Sequence, residues 1–149
     1  MIGILIVSHG KLAQAFKSSA EIIFGQAENI DYLGLYPEDD INNFNEKIKE
    51  KIINLDKGGG VIVFTDLISA SPYTQSQIAI SKLENNEKIS LIGNLNFQML
   101  IQAINGQVLE ENIDQVVKNI LEITKQEVLE WKYEKTQTEN TDEEDDDDF

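Results

Sequence analysis

The chain has 149 residues, of which 27 are Asp or Glu and 12 are Lys, giving a formal net charge of −15. It contains one His and neither Arg nor Cys. The length is typical of a single domain. So few cations exclude a nucleic-acid binder that works by neutralising phosphates, and the lack of Cys excludes disulfides, thiolate catalysis and Cys-based metal sites. A single His excludes a His-rich metal centre, so we expect neither a metal nor another cofactor.

Strand-like and helix-like patterns alternate along most of the chain. In chain order they predict a strand at residues 2–7, a helix at 11–24, a strand at 30–36, a helix capped by Asp39 or Asp40 and ending at 55, a strand at 61–64, a helix at 72–83, a strand at 89–92, a helix at 96–104 and a final helix from 112 to about 133. Short connections between strands and helices favour crossover units. The sequence therefore predicts an α/β fold in one domain, with an open, mostly parallel sheet and helices on both faces.

The acids are concentrated at the end of the chain, where eight of the last eleven residues are Asp or Glu. A segment of like charge with almost no apolar content cannot offset its chain entropy by burial. We therefore predict a folded domain at residues 1–135 and a disordered acidic tail at residues 136–149.

The first seven residues are apolar but are too few to cross a membrane. They also lack the basic flank and cleavage site of a signal peptide. We expect a cytoplasmic protein.

Two chemically useful side chains directly follow predicted strands. Because ligands of open α/β sheets bind beyond the carboxyl ends of the strands, His9 and Asp66 are the residues to consider. A carboxylate bonded to one ring nitrogen would fix the His9 tautomer and leave the other nitrogen as the nucleophile. Each residue also has a plainer interpretation, since an isolated His is more often structural and a loop Asp often bonds its own backbone.

The predicted helix at 72–83 has a favourable start, with Ser71 as the N-cap and Pro72 as the first helical residue. A helix start offers free N–H groups to an anion. No acid lies between residues 67 and 83 or between 10 and 20. The residues thus predict that His9 carries a phosphoryl group. Because the chain has no Arg, the groups left to bind the phosphoryl oxygens are backbone amides, hydroxyls and Lys11.

Several segments together resemble the enzyme IIA components of mannose-type sugar phosphotransferase systems, across residues 1–130. The segments are Ile4-Leu5-Ile6-Val7-Ser8-His9-Gly10, Phe24-Gly25, Thr65-Asp66-Leu67-Ile68-Ser69-Ala70-Ser71-Pro72-Tyr73, and Asn96 with Met99-Leu100. The resemblance implies a transferase in which His9 carries the phosphoryl group and Asp66 orients it. It further implies that Gly10, Ser69 and Ser71 contact the phosphoryl group.

The resemblance also implies a set of partners. The donor would be the histidine phosphocarrier protein and the acceptor a IIB component, which phosphorylates the sugar at the membrane IIC/IID pair. The protein would then act in sugar transport, peripheral to the membrane through the transporter complex. Members of the family are typically homodimers with an exchanged or added edge strand, which implies a homodimer here.

The sequence departs from the family pattern at two places. Ser69 and Ala70 stand where two glycines are usual, and Gln98 stands where a proline is common. Two other functions stay open at this point. One is the phosphoryl-donor subunit of dihydroxyacetone kinase, and the other is a non-catalytic regulatory homologue. The transported sugar is not defined, because a IIA component does not touch it.

Overall fold

A computed structural model describes residues 1–126 and 128–135. In chain order its elements are β1 (Gly3–His9), α1 (Leu12–Phe24), β2 (Ile30–Leu35), α2 (Ile41–Leu55), β3 (Val61–Thr65), α3 (Ser71–Ser81), β4 (Ile89–Ile92), α4 (Phe97–Val108) and α5 (Ile113–Ile123). The acidic tail predicted at residues 136–149 lies outside the described residues.

The four strands form one parallel sheet in the order β2-β1-β3-β4. In the central register, Ile6 of β1 pairs with Tyr32 of β2 on one side and Phe64 of β3 on the other. All strands therefore end at the same edge, and β1 and β3 are neighbours in its middle. The predicted α/β fold with an open parallel sheet is confirmed.

Helices cover both faces of this sheet because the strand side chains alternate between two apolar cores. Ile4 and Ile6 of β1 pack in the core shared with α1, α4 and α5, whereas Leu5 and Val7 pack in the core shared with α2 and α3. All four side chains are completely buried. Each such burial contributes about 1.5–3 kcal/mol, which explains why the strand has no polar residue before Ser8.

Two predicted elements end too early. β1 continues to His9 instead of stopping at residue 7, since His9 still pairs with Leu35 of β2. α4 continues to Val108 instead of stopping at residue 104. Its extra turn is anchored by Gln107, which is buried and donates from Nε2 to the carbonyl of Ile2 at 2.7 Å.

The prediction of a final helix reaching about residue 133 is wrong. α5 ends at Ile123, and residues 128–135 have no helical or strand structure. The apolar stripe of α5 consists of Ile113, Val116 and Ile120, which are buried. Beyond it, Leu129 and Trp131 are 83% and 81% exposed, so nothing within the described residues packs against them to support a continued helix.

Candidate functional site

Asp66 is bonded to His9 through both the backbone and the ring. The N–H of His9 donates to Asp66 Oδ2 at 3.0 Å, and His9 Nδ1 lies 2.7 Å from the same oxygen. The contact follows from the sheet register: Val7 pairs with Thr65, so the residues that follow emerge side by side at the carboxyl edge. The structure thus brings together the two side chains selected from the sequence.

The charge state of the pair defines which ring nitrogen is available. Burial of the Asp66 carboxyl raises its pKa, but hydrogen bonds from the His9 N–H, the His9 ring and the Leu67 N–H outweigh it, so the pKa lies below its usual value. An ionised carboxylate only accepts, so the proton of the neutral imidazole lies on Nδ1. Nε2 makes no hydrogen bond with a described residue, and the His9 side chain is 50% exposed. It is the free nitrogen, open to a reactant.

Two buried hydroxyls hold the backbone on either side of this pair, and neither was selected from the sequence. Ser8 Oγ accepts the N–H of Ala13 at 2.7 Å, which ties the start of α1 to the end of β1. Thr65 Oγ1 donates to the carbonyl of Leu67 at 2.9 Å and braces the loop that carries Asp66. Ser8 and Thr65 are hydroxyl residues at the last buried positions of β1 and β3, and this placement is the sequence feature that could identify them.

A close backbone contact shapes the turn after His9. Gly10 has φ of 57° and its N–H donates to the carbonyl of Leu35 at 2.8 Å. The Gly10 carbonyl lies where a Cβ at residue 34 would be, so only glycine fits there. Gly10 and Gly34 together let the chain turn sharply while His9 stays at the sheet edge.

The start of α3 lies at the same edge but differs in detail from the prediction. Ala70, in extended conformation, is the N-cap, and its carbonyl accepts the N–H of Thr74 at 2.9 Å. Ser71 is therefore the first helical residue and not the N-cap, because its backbone has already turned into the helix. Its hydroxyl is exposed and has no hydrogen-bond partner among the described residues. Ser69 has φ of 65°, a left-handed conformation that glycine adopts more easily.

Free donors accumulate near this helix start. The N–H groups of Ser69, Ser71 and Tyr73 have no partner within residues 1–126 and 128–135. The first turns of α1 and α3 carry no acid. Lys11 is exposed at the N-cap of α1, two residues after His9. The same edge of the sheet therefore presents a free imidazole nitrogen and free N–H donors, an arrangement suited to an anion.

Metal and membrane features are absent from the part of the chain that the structure describes. No group of three or more acidic or His side chains in it is placed to hold a metal ion. None of its helices has the length and apolar character needed to span a bilayer.

Comparison with known proteins identifies the family. A model of the EIIA-man family, described as the PTS system fructose IIA component, matches residues 3–121. The chain belongs to this family of mannose-type phosphotransferase IIA components, and the resemblance seen in the sequence is confirmed.

Individual relatives agree with this result. The sorbose-specific EIIA component of Lacticaseibacillus casei is 26% identical over 121 residues, covering 80% of this chain and 83% of that protein. The mannose-specific EIIAB component of Escherichia coli K12 is 26% identical over 117 residues, which cover 78% of this chain. The chain matches only 35% of the length of that E. coli protein.

Solved structures share the fold. A phosphotransferase component EIIA from Streptococcus agalactiae superposes with a TM-score of 0.77 at 24% identity, covering 87% of this chain and 97% of that one. A PTS IIA protein associated with the fucose utilization operon of Streptococcus pneumoniae gives a TM-score of 0.68 at 30% identity, covering 82% and 90%. Both likenesses extend over nearly the whole of the described chain.

Proposed function

We propose that this protein is a phosphohistidine carrier of a phosphoenolpyruvate-dependent sugar phosphotransferase system. In this proposal His9 accepts a phosphoryl group from the histidine phosphocarrier protein and passes it to a IIB component. The observation that carries it is the 2.7 Å contact between His9 Nδ1 and Asp66 Oδ2, which leaves Nε2 free at an exposed sheet edge. Family membership supports the same role.

The transfer runs between two imidazoles. The lone pair of His9 Nε2 attacks phosphorus, a new N–P bond forms, and the N–P bond to the carrier imidazole breaks, releasing that ring. Because His9 keeps its proton on Nδ1, the phosphorylated ring carries positive charge, which the Asp66 carboxylate stabilises. The reverse sequence delivers the group to the acceptor. Asp66 thus orients the ring before transfer and compensates its charge afterwards.

The phosphoryl oxygens need donors, and the chain has no Arg to supply them. We assign this task to the free N–H of Ser69 and to the exposed hydroxyl of Ser71, with the other free N–H groups at the start of α3 supporting them. The N–H of Gly10 already donates to the Leu35 carbonyl, so we assign Gly10 the role of shaping the turn beside the phosphoryl group. Positioning and fixed dipoles account for most of the acceleration in such transfers. The site requires no metal for this step.

The cellular role follows from the family. The domain at residues 1–135 would work in the cytoplasm and reach the membrane only through the complex of IIB with the IIC/IID pair.

Labelling tests the proposal directly. The protein is incubated with phosphoenolpyruvate, enzyme I and the phosphocarrier protein, and its intact mass is measured. Wild type should gain one acid-labile phosphate, and His9→Ala should gain none. Because His9 is the sole His of the chain, no second imidazole can replace it. Equal labelling of both proteins would contradict the proposal.

The same reaction separates the alternatives. If labelled protein passes phosphate to a IIB component, the sugar system is its pathway. If it instead phosphorylates the nucleotide bound to a dihydroxyacetone kinase subunit, the kinase function holds. Binding of the carrier without labelling would identify a regulatory homologue.

We also propose that the protein is a homodimer formed through residues 128–133 and the free edge of β4. Leu129, Trp131 and Tyr133 alternate with Glu130 and Lys132, which is the period of a strand and not of a helix. The three apolar side chains are 83%, 81% and 76% exposed.

The β4 edge offers a place for such a strand. β4 pairs only with β3 within the described residues, and a cavity of about 500 Å³ beside it is lined by residues that include Ile68, Tyr73, Leu91 and Met99. Light scattering should give twice the chain mass for wild type. Trp131→Ser should give a monomer with an unchanged circular dichroism spectrum, whereas Ile22→Ser, which removes an equally exposed apolar side chain from α1, should remain a dimer. A monomeric wild type would overturn this part.

A further inference from the structure

α3 packs on the sheet and on α2 with unusually small or polar side chains. Its buried residues are Pro72, Ser76 and Ala79, and Ser76 Oγ donates to the carbonyl of Pro72 in its own helix at 2.7 Å. The large apolar side chains that pack on the core shared with α2, Ile80 and Leu83, are only half-buried and lie at and just beyond the C-terminal end of α3. Near its start, α3 therefore packs on α2 without a large buried apolar side chain to define its position.

A polar network supplies the missing constraint. Asn45 of α2 is only 4% exposed, and its Nδ2 donates to Gln75 Oε1 of α3 at 3.0 Å. Its Oδ1 accepts from Lys82 Nζ at 2.7 Å, and the same ammonium contacts Glu46 Oε2 at 2.9 Å. Both ends of the Asn45 amide are thus satisfied by the residues at and just beyond α3. Asn45 is the buried member of this network, and a buried amide with partners at both ends favours one arrangement of the groups that it joins.

The network lies close to the start of α3. Gln75 is four residues after Ser71, about one helical turn along the axis. A shift of α3 against α2 would therefore move the free N–H groups at its start relative to His9. Errors of about 1 Å in the position of reacting or stabilising groups can slow an enzyme 100-fold.

We infer that Asn45 and Gln75 are positioning residues for phosphoryl transfer: their amide contact sets the placement of the α3 start against His9. This inference rests on the proposed function of His9, but it concerns residues on the far side of α3 that do not touch the phosphoryl group. Asn45 acts through Gln75, and Gln75 acts through the helix backbone.

Three variants of α3 test the inference. Gln75→Leu removes the amide at nearly constant size, and Gln75→Glu keeps an oxygen that accepts from Asn45. Gln77→Leu is the matched control, since the side chain of Gln77 is exposed and makes no hydrogen bond with a described residue. Each variant is labelled by the phosphorylated carrier at 20 °C, and melting is followed separately. The maximal rate, the half-saturating carrier concentration and the ³¹P shift of phosphorylated His9 are measured.

For Gln75→Leu we expect the maximal rate to fall about ten-fold, with the half-saturating concentration within a factor of two of wild type and a displaced ³¹P signal. Gln75→Glu and Gln77→Leu should match wild type. The inference is wrong if Gln75→Leu transfers at the wild-type rate, or if Gln75→Glu is as slow as Gln75→Leu, even when both melt at a lower temperature.

A separate measurement distinguishes this inference from the proposed function. If wild type is not labelled at all, the proposed function fails. The amide chemical shifts of Ser71 and Tyr73 in the unphosphorylated protein then decide the positioning role. They should move in Gln75→Leu and stay in Gln77→Leu, and identical spectra in both variants would overturn it.

Discussion

One oxygen of Asp66 holds His9 at two points. Asp66 Oδ2 accepts the backbone N–H of His9 at 3.0 Å and contacts its ring Nδ1 at 2.7 Å. The backbone bond fixes where the residue leaves β1, and the ring bond fixes the rotation of the imidazole. A single carboxylate therefore determines both the location and the orientation of the nucleophile.

The first prediction concerns the tautomer. In Asp66→Asn the amide NH₂ can donate to Nδ1, which moves the ring proton to Nε2 and removes the attacking lone pair. We expect labelling of His9 to slow by a factor on the order of 100 or more, as in other sites where an orienting carboxylate becomes an amide. Asp31→Asn is the control and should label normally. It changes an acid of β2 whose side chain pairs with Lys51 of α2. Normal labelling of Asp66→Asn would show that the ring contact is not needed.

The second prediction follows from the lowered pKa of Asp66. A carboxyl whose folded pKa is below its unfolded value stabilises the fold at pH values above the unfolded pKa, about 3.9 for Asp. This stabilisation is lost as pH falls through the lower folded pKa. Urea unfolding between pH 7 and pH 2.5 should therefore show a smaller free-energy difference between wild type and Asp66→Asn at the acid end. A difference independent of pH would contradict the lowered pKa.

The third prediction uses the left-handed backbone at Ser69, where φ is 65°. Ser69→Gly should raise the free energy of unfolding by about 1 kcal/mol, because relief of the left-handed conformation exceeds the entropy that glycine adds to the unfolded chain. Ala70→Gly is the matched control, since Ala70 has φ of −97° and should lose stability instead. Denaturant melts of the two variants provide the comparison. A gain at residue 70, or none at residue 69, would refute this account of the loop.

The fourth prediction concerns docking of the carrier. A shallow apolar groove of about 330 Å³ at the start of α1 and α4 is lined by Leu12, Ala15, Phe16, Ser19 and Phe97. Leu12 lies three residues after His9 and is 48% exposed. Leu12→Gln should reduce labelling by the phosphorylated carrier about ten-fold, the effect of losing roughly 1.4 kcal/mol of contact energy.

Two controls accompany this measurement. Labelling of Leu12→Gln by phosphoramidate, a donor too small to use the groove, should be unchanged. Ile22→Gln, at an exposed position near the far end of α1, should behave as wild type with the carrier. If phosphoramidate labelling falls equally in Leu12→Gln, the side chain acts on His9 itself and not on docking.

Sequence patterns were sufficient for the fold because its strands are strongly marked. Buried runs such as residues 61–64 lie between helices with clear apolar stripes, and parallel strands must end at one edge. The adjacency of His9 and Asp66 follows from that rule. The boundaries were less accurate where a tertiary contact extended an element, as Gln107 does for α4.

Polar contacts between distant residues could not be predicted in the same way. Asn45 and Gln75 are 30 residues apart and look like ordinary helix residues until α2 and α3 are placed together. Ser71 has the side chain of an N-cap, but the backbone at Ala70 takes that position. The alternation of Leu129 and Trp131 follows closely on the apolar pattern of α5, and the sequence alone does not separate the two.

By itself the sequence determined the family, the parallel sheet and the one imidazole available for chemistry, because these depend on local pattern and on composition. Only the tertiary structure decided which nitrogen of His9 is free, which oxygen of Asp66 holds it, and how α3 is tied to α2. Those properties depend on distances of about 3 Å between residues far apart in the chain, and hydrogen bonding is that sensitive to geometry.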